Sequence, residues 1–364
     1  MSMNHYYLLG RSGLRVSRLA LGTMNFGTGG FHAPYGKTEE ESRAIFRRYL
    51  DAGGNFIDTA DFYTAGQSET ILGGLIEDAG VRDRVVLTTK CTNSVDPGDP
   101  NAGGNGRKHL VRSVEASLRR LRTDYIDLFL LHTWDRITPV DEVVRTFDDL
   151  VRAGKIRYAG LSDVPAWYAA RAQTLAETHS LAPLISLQLP YSLVERTIEA
   201  EHVAAGQALG LGITAWSPLA GGFLTGKYRS AGKEVAGEGR LSLTGQPQPA
   251  RSDRDWELLK TLRMVAEKAG VTMAQVALNW VATQPGIASA IVGASSPGQL
   301  DSTLAALDFE LPAELRAALD QASAVPPASV YQMFTPAYQG WLVSPGVKLG
   351  DKPAGYQPAV RNWA

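Results

Sequence analysis

Short apolar runs alternate along this chain with longer stretches in which apolar residues recur every three or four positions. The first pattern predicts buried strands, and the second predicts amphipathic helices. Eight runs of the first kind occupy residues 19–23, 55–58, 85–89, 126–131, 158–162, 185–189, 213–216 and 290–292. Since eight parallel strands with intervening helices close into a barrel, the pattern predicts an α/β fold of the (β/α)8 TIM-barrel type.

The helical signals are clearest between residues 38 and 54. Thr38 can cap a helix and Glu41 completes a capping box, while apolar residues at 45, 46, 49 and 50 share one face. The pair Gly53 and Gly54 ends the helix. The same logic predicts a helix over residues 107–121.

Four segments fall outside this alternation. The first contains YYLLGRSGLRVS, which predicts an N-terminal β-hairpin that closes the bottom of the barrel. Residues 91–106 and 226–255 are long and polar, as expected of loops at the carboxyl ends of the strands. We therefore predict a barrel domain over 1–324 and a C-terminal extension over 325–364, docked on the barrel or at a subunit contact. The extension carries six aromatic residues: Tyr331, Phe334, Tyr338, Trp341, Tyr356 and Trp363.

The composition is that of a soluble globular protein, with 44% hydrophobic and 20% charged residues. Lys and Arg (36) nearly balance Asp and Glu (37), and no basic run could follow a phosphate backbone, which argues against a nucleic-acid partner. The N-terminal residues lack the pattern of a leader peptide, and no run of ~18 apolar residues occurs. We therefore expect neither export nor a membrane span. Cys91 is the only cysteine, so a reducing, cytoplasmic location is expected.

Four predicted strands end in, or are followed by, a polar residue that can do chemistry: Asp58, Lys90, His132 and Ser162. In a parallel barrel those ends meet on one face, and Tyr63 lies five residues after Asp58. An acid, an ammonium, an imidazole and a phenol can together move a proton onto a carbonyl oxygen.

In this hypothesis Tyr63 is the proton donor, and Lys90 stabilises the phenolate and lowers its pKa. Asp58 pairs with Lys90, so that a buried cation does not stand alone, and His132 orients the carbonyl oxygen. Taken singly, each residue also fits a structural role, such as helix capping by Asp58 or core packing by His132. The hypothesis therefore depends on their joint placement.

Other kinds of site find less support. The sequence Gly210-Leu211-Gly212 precedes a strand, so it does not form a Rossmann phosphate loop. The histidines show no ligand spacing such as HxH or HExxH, and we predict no metal, which argues against a metal-dependent barrel hydrolase or isomerase. Cys91 directly follows Lys90, and because adjacent strand residues point to opposite faces, we expect it to pack in the core.

Seven segments resemble the aldo-keto reductase superfamily, whose TIM barrels hold a nicotinamide cofactor across the mouth. They are GGNFIDTADFY (53–63), LTTK (87–90), DYIDLFLLH (124–132), GKIRYAGLSD (154–163), LQLPYSLVER (187–196), ITAWSPLAGGFLTGKY (213–228) and IVGASSPGQL (291–300). The SPLAGGFLTGKY portion is similar to bacterial reductases related to potassium-channel β subunits. The resemblance extends from the first predicted strand to the eighth.

This resemblance implies that Asp58, Tyr63, Lys90 and His132 form the family's catalytic tetrad. It also implies that Ser162, Asp163 and Gln188 bind the nicotinamide carboxamide and that Trp216 packs near the ring. The other cofactor contacts that it implies are Gly22, Thr23, Met24, Asp58, Ser217, Leu219, Gly221, Gly222, Leu224, Lys227, Gly293, Ser295, Gln299 and Thr303.

Two departures from the family pattern concern the cofactor. Where many relatives carry an arginine for the 2′-phosphate, this chain has Ser295 and its neighbours, although Lys227 or Arg240 could supply charge. NADPH is thus expected from the family, with NADH as an open alternative. Asp163 stands where asparagine is frequent, and an ionised carboxylate can only accept a hydrogen bond.

We expect an NAD(P)H-dependent reductase of an aldehyde or ketone, with Phe26, Trp134 and Tyr191 lining an apolar substrate pocket. The alternative is a nicotinamide-binding regulatory subunit that senses redox state and turns over slowly. The sequence leaves the physiological substrate, the reaction direction and self-association open.

Overall fold

Eight parallel strands close into a barrel in the computed structural model, which describes residues 3–231, 234–237, 239–243, 251–343 and 345–347. An antiparallel hairpin (β1 and β2) precedes the barrel, and a second small hairpin (β10 and β11) lies between its seventh and eighth strands. The barrel runs β3-β4-β5-β6-β7-β8-β9-β12 and closes by pairing of β12 with β3. The strands are β1 Tyr6–Leu8, β2 Arg15–Ser17, β3 Leu19–Gly22, β4 Phe56–Asp58, β5 Val86–Cys91, β6 Ile126–Leu131, β7 Ile156–Ser162, β8 Leu184–Pro190, β9 Gly212–Trp216, β10 Arg229–Ala231, β11 Glu234–Ala236 and β12 Ile287–Val292.

This architecture confirms the predicted (β/α)8 barrel with its N-terminal hairpin. The eight predicted strands are all present, although β5 extends to Cys91, so that Lys90 lies inside the strand. The helices are α1 Glu39–Asp51, α2 Gln67–Ala79, α3 Arg107–Leu121, α4 Val140–Arg152, α5 Ala166–Thr178, α6 His202–Leu209, α7 Arg240–Leu243, α8 Asp253–Ala269, α9 Met273–Ala282, α10 Pro297–Leu304, α11 Ala313–Ala322, α12 Ser329–Gln332 and α13 Pro336–Leu342.

Local sequence explains the helix boundaries. The capping box at Thr38 and Glu41 is present, with the Thr38 side chain accepting from the Glu41 amide and the Glu41 side chain accepting from the Thr38 amide. Ile45, Phe46 and Tyr49 are buried on one face of α1. Because the cap satisfies amides that the first helical turn leaves free, α1 begins where the sequence predicts.

Two apolar layers hold the barrel together. The main core lies between the strands and the surrounding helices, and a second cluster fills the barrel near the amino-terminal ends of the strands. Leu9 and Val16 of the hairpin segment belong to that second cluster, where they pack with Phe56, Val86 and Leu128. The hairpin therefore covers the bottom of the barrel and leaves the carboxyl-end mouth for chemistry.

The C-terminal residues form a unit of their own. The barrel unit ends at Ser323, and the following unit contains α12 and α13, with edge-to-face pairs between Tyr331 and Phe334 and between Tyr338 and Trp341. The remaining two predicted aromatics, Tyr356 and Trp363, lie outside the described residues. Docking of this extension stays a prediction. Among the described residues, none of the helices combines the length and the apolar character needed to cross a membrane.

Candidate active site

The carboxyl ends of three neighbouring strands bring the predicted acid, ammonium and imidazole together. Asp58 is the last residue of β4, Lys90 is next to last in β5, and His132 directly follows β6. Tyr63 begins a short 3₁₀ turn that follows β4. The barrel topology therefore gathers side chains from distant parts of the chain at the mouth, as expected for this fold.

Lys90 is the centre of this cluster. Its fully buried ammonium donates to Asp58 Oδ2 at 2.7 Å, to the carbonyl of Thr59 at 2.7 Å and to the Tyr63 hydroxyl at 3.3 Å. Burial opposes ionisation, but the Asp58 carboxylate and the Tyr63 hydroxyl outweigh it and raise the pKa of Lys90 above its ordinary value. All three ammonium protons thus have acceptors, and the amine stays charged.

The pKa of Tyr63 departs from its ordinary value in the direction opposite to the sequence-based expectation. Burial raises the pKa of this phenol, and the attraction of Lys90 only partly offsets that effect. The Asp58 carboxylate, paired with Lys90, adds to the rise because its negative charge opposes ionisation of the phenol. Tyr63 consequently keeps its proton at neutral pH, as a proton donor must.

His132 completes an aromatic group around the phenol. Its ring centroid lies 5.7 Å from that of Tyr63 and 5.1 Å from that of Phe62, both in edge-to-face arrangements. Burial and the nearby Lys90 hold the pKa of His132 well below its usual range, so the imidazole is neutral. Its Nδ1 atom is buried without a hydrogen-bond partner in the described part of the chain.

The residues assigned to the nicotinamide lie at the carboxyl ends of the next three strands, β7, β8 and β9. Gln188 pairs with Ser162 in the sheet, and its side-chain amide donates to Asp58 Oδ1 at 2.8 Å. The indole N–H of Trp216 donates to Asp163 Oδ1 at 2.9 Å, and 36% of Trp216 is exposed. The Gln188 hydrogen bond links β8 to the Asp58–Lys90 pair.

The segment after β9 has an unusual backbone. Ser217, Ala220, Gly221 and Gly222 all have positive φ angles, and the Ser217 hydroxyl accepts from the Gly221 amide at 3.2 Å. Lys227 packs over Gly222, where an added Cβ would lie 3.5 Å from its Cε. Leu219 is half-buried in this segment. Such a turn with a cation beside it suits a phosphate, because backbone amides can converge there.

The residues assigned to the adenosine end lie near β12 and α10. The backbone N–H and the hydroxyl of Ser295 both donate to Gln299 Oε1, at 2.5 and 2.8 Å. An added Cβ on Gly293 would meet nothing within 4 Å, so this backbone is open. No lysine or arginine occurs between residues 293 and 303.

Some predicted cofactor residues are buried. Gly22 ends β3 beside Asp58, and the hydroxyl of Thr23, the next residue, donates to the Asp58 carbonyl at 3.1 Å. Met24 lies beyond them, and the Arg240 guanidinium is 3.9 Å from its sulfur. The side chains of Leu224 and Thr303 are buried as well.

The structure buries two of the three residues predicted to line the substrate pocket. Phe26 is fully buried in the main core, and Tyr191 is 2% exposed, with its ring 5.4 Å from that of Trp280 and its hydroxyl donating to Glu199 at 2.6 Å. Both side chains therefore contact protein on all sides. Trp134 is half-buried and lines a groove of about 520 Å³, together with Asp163, Leu189 and Trp216.

Three residues near Tyr63 had no role in the sequence-based hypothesis. His32 contacts the Tyr63 ring edge to face at 5.4 Å and accepts from the Thr64 amide at 3.2 Å. Phe62 separates His32 from His132. Asp61, two residues before Tyr63, is buried. Asp61 and Phe62 could have been inferred from their place between Asp58 and Tyr63, but nothing in the sequence indicates that a distant loop brings His32 there.

The remaining candidate, Cys91, is fully buried in the main core, and burial raises the pKa of its thiol well above the ordinary value. A buried neutral thiol packs as a small apolar group. The described residues contain no cluster of three or more side chains suited to hold a metal ion.

Comparison with known proteins assigns this barrel to a class of oxidoreductase. The model of the Aldo/keto reductase family matches residues 18–324, and the chain belongs to that family. The sequence-based recognition of the aldo-keto reductases is thereby confirmed.

Three relatives illustrate the range within the family. The uncharacterized oxidoreductase YrpG of Bacillus subtilis is 39% identical over 328 residues, which span 85% of this chain and 93% of that protein. Norsolorinic acid reductase stcV of Emericella nidulans is 37% identical over 84% of this chain and 78% of its own. A putative voltage-gated potassium channel subunit beta of Schizosaccharomyces pombe is 34% identical over 84% of this chain and 88% of its own. The predicted relation to channel β subunits is thus confirmed as well.

Proposed function

We propose that this chain reduces an aldehyde or ketone to an alcohol with NADPH, and that Tyr63 donates the proton to the carbonyl oxygen. The single observation that carries the proposal is the contact between Lys90 and the Tyr63 hydroxyl at the barrel mouth, with Asp58 behind it. A phenol that is protonated at neutral pH, and whose anion would meet an ammonium, is equipped to give up a proton when charge develops on a nearby oxygen.

Each side chain has a separate task in this proposal. Tyr63 supplies the proton, and Lys90 stabilises the phenolate that remains. Asp58 holds Lys90 in place and balances its charge, which avoids an isolated buried cation. Neutral His132 can donate one N–H to the carbonyl oxygen, which orients the substrate and stabilises the charge that builds on that oxygen.

The residues at the mouth fit a nicotinamide dinucleotide. Trp216 offers an exposed indole beside Asp163, and the turn at Gly221 and Gly222, with Lys227 over it, suits phosphate oxygens. Ser162 and Gln188 would hold the carboxamide between these two regions. The cofactor, when bound, supplies the hydride that the carbonyl carbon requires.

The choice of NADPH over NADH follows family membership more than local residues. Residues 293–303 lack a cation, so a 2′-phosphate would depend on side chains from other segments. Arg240 is one candidate, since its guanidinium lies 4.9 Å from the Tyr35 ring centroid and close to Met24. Comparing the affinities for NADPH and NADH tests this choice.

A second function has specific support. The similarity to the Schizosaccharomyces pombe protein, which is described as a putative potassium channel subunit beta, favours a nicotinamide-binding regulatory subunit that turns over slowly. A preserved tetrad is compatible with both functions, because slow catalysis uses the same residues.

Steady-state oxidation of NADPH against a panel of aldehydes and ketones separates the two functions. The panel should include bulky aromatic ketones, because one relative is named norsolorinic acid reductase. Turnover on at least one carbonyl is the expected result. Tight cofactor binding without turnover on any carbonyl would favour the regulatory subunit, and the absence of nucleotide binding would overturn both.

A further inference from the structure

The carboxylate of Asp163 lies at the barrel mouth, near other charged and titratable side chains. It directly follows β7, and a positive φ of 44° turns its backbone. Its amide donates to the Gln188 carbonyl at 3.2 Å, and its own carbonyl accepts from the Thr133 hydroxyl at 3.3 Å. Contacts from β8 and from the segment after β6 therefore fix the backbone of this residue, and the Trp216 indole holds its carboxyl group.

The carboxyl group of Asp163 has one described side-chain partner, the indole N–H of Trp216. The charged and titratable groups that affect it are Lys90 of β5, His202 of α6 and Tyr63. Arg136 lines the same groove. Burial raises the pKa of Asp163 to about 6, while the Trp216 hydrogen bond and the charges of Lys90 and His202 act in the opposite direction. The carboxyl is ionised at neutral pH and protonated in mild acid.

We infer that Asp163 sets the preference of this site between the two redox states of the nicotinamide, and that its carboxylate favours the oxidised form. The oxidised ring carries a positive charge and the reduced ring is neutral, so a fixed negative charge beside the carboxamide attracts only the former. This inference rests on the proposed function, because it assumes that Ser162, Asp163 and Gln188 hold the carboxamide.

The side chains around Asp163 support this role. The Lys90 charge is already matched by Asp58, so Asp163 is not needed to balance it. Trp216 donates a single N–H, which leaves the second oxygen of Asp163 free of side-chain partners among the described residues. An ionised carboxylate in that position can accept the carboxamide N–H, whereas an asparagine would carry no charge to distinguish the two ring states.

The test compares dissociation constants for NADP⁺ and NADPH in the wild-type protein and in Asp163→Asn. Asparagine tolerates the positive φ at this position, so the variant should fold. At about pH 8.5, where Asp163 is ionised, the ratio Kd(NADP⁺)/Kd(NADPH) should rise about tenfold in the variant, the scale expected for one charge pair in partly solvated surroundings.

The pH dependence gives a second readout that needs no substitution. In the wild-type protein the same ratio should fall as pH rises through the range in which Asp163 ionises in the two complexes, and in Asp163→Asn it should be flat. Titration of the 2′-phosphate is common to both nucleotides and cancels in the ratio. Trp216→Phe removes the N–H that lowers the pKa of Asp163, so the midpoint should move to higher pH.

Glu177→Gln is the matched control, since it removes one negative charge from an exposed residue of α5 that pairs with Arg11. Its ratio should equal that of the wild-type protein. If both nucleotides bind to Asp163→Asn with an unchanged ratio, the inference is wrong and the proposed function stands. If neither nucleotide binds to the wild-type protein, the proposed function fails and the inference fails with it.

Discussion

The ammonium of Lys90 lies 3.3 Å from the hydroxyl of Tyr63, at the point where two barrel strands and a loop meet. Burial keeps the Tyr63 phenol protonated, whereas Asp58 and Tyr63 keep the Lys90 amine charged. The phenol therefore retains its proton until charge appears on an acceptor, and the ammonium then stabilises the anion that forms. This relationship between Lys90 and Tyr63 is the physical basis of the proposed chemistry.

The Lys90–Asp58 pair should show strong coupling in stability. Replacing Lys90 by Met leaves the buried Asp58 carboxylate without its cation, and we expect a loss of about 3–5 kcal/mol in the free energy of unfolding. The double variant Lys90→Met/Asp58→Asn should recover much of that loss, because the uncompensated charge is gone. Urea unfolding of the wild-type protein, both single variants and the double variant measures the coupling.

Activity should behave differently in the same set of variants. Since the ammonium is needed to stabilise the Tyr63 anion, the double variant should remain as inactive as Lys90→Met even when its stability is restored. Activity that returns together with stability would mean that Lys90 has only a structural role.

Asp61 should make the stability of the protein depend on pH. Its carboxyl is 3% exposed, and burial followed by the charge of Glu69 raises its pKa from 3.8 to about 8. Between these two values the folded protein binds a proton that the unfolded chain does not, so stability falls as pH rises through that window. The slope approaches about 1.4 kcal/mol per pH unit and levels off above about pH 8.

Asp61→Asn should remove this part of the slope. The variant's stability relative to the wild-type protein should therefore increase between about pH 5 and pH 8, as measured by urea unfolding at several pH values. Asp51→Asn, at an exposed position that ends α1, controls for the loss of one carboxylate. Parallel stability curves for Asp61→Asn and the wild-type protein would show that Asp61 is ionised in the folded state.

Gly222 should matter for cofactor binding beyond its effect on the fold. Its φ is 95°, and alanine there is strained and would place a Cβ 3.5 Å from Lys227 Cε. We expect Gly222→Ala to weaken NADPH binding by about tenfold, because the turn can no longer bring its amides close to phosphate oxygens. Fluorescence titration measures the affinity.

Gly80→Ala is the matched control for backbone strain. Gly80 has a φ of 62° at the end of α2, and an added Cβ would meet nothing within 4 Å. Both variants should lose about 1 kcal/mol of stability from the left-handed conformation, but Gly80→Ala should bind NADPH normally. Equal affinities of the two variants would exclude Gly222 from the phosphate site.

Much of the fold could be predicted because local signals agree with one another. The eight apolar runs became the eight barrel strands, and the cap at Thr38 and Glu41 began a helix where expected. Closure into a barrel follows once eight parallel strands alternate with helices. The grouping of Asp58, Lys90 and His132 was predictable for the same reason, since strand ends converge in this architecture.

Other features depend on three-dimensional distances between side chains, which the sequence pattern does not specify. Phe26 and Tyr191 are aromatic, as residues of a substrate pocket often are. The sequence does not distinguish an aromatic side chain at the barrel mouth from one in the core, and both of these are buried. The direction of the Tyr63 pKa depends on whether burial or the Lys90 charge is larger, and only the geometry decides this. The contact of His32 with Tyr63 joins residues from separate loops.

The measurement that tests the central claim most directly is carbonyl reduction by Tyr63→Phe, with NADPH affinity determined on the same preparation. The substitution removes the hydroxyl that Lys90 contacts and keeps the ring that packs against His32 and His132. We predict that kcat falls by about 10²–10⁴-fold, the usual contribution of a general acid, while NADPH affinity stays unchanged. Turnover near the wild-type rate in this variant would contradict the account.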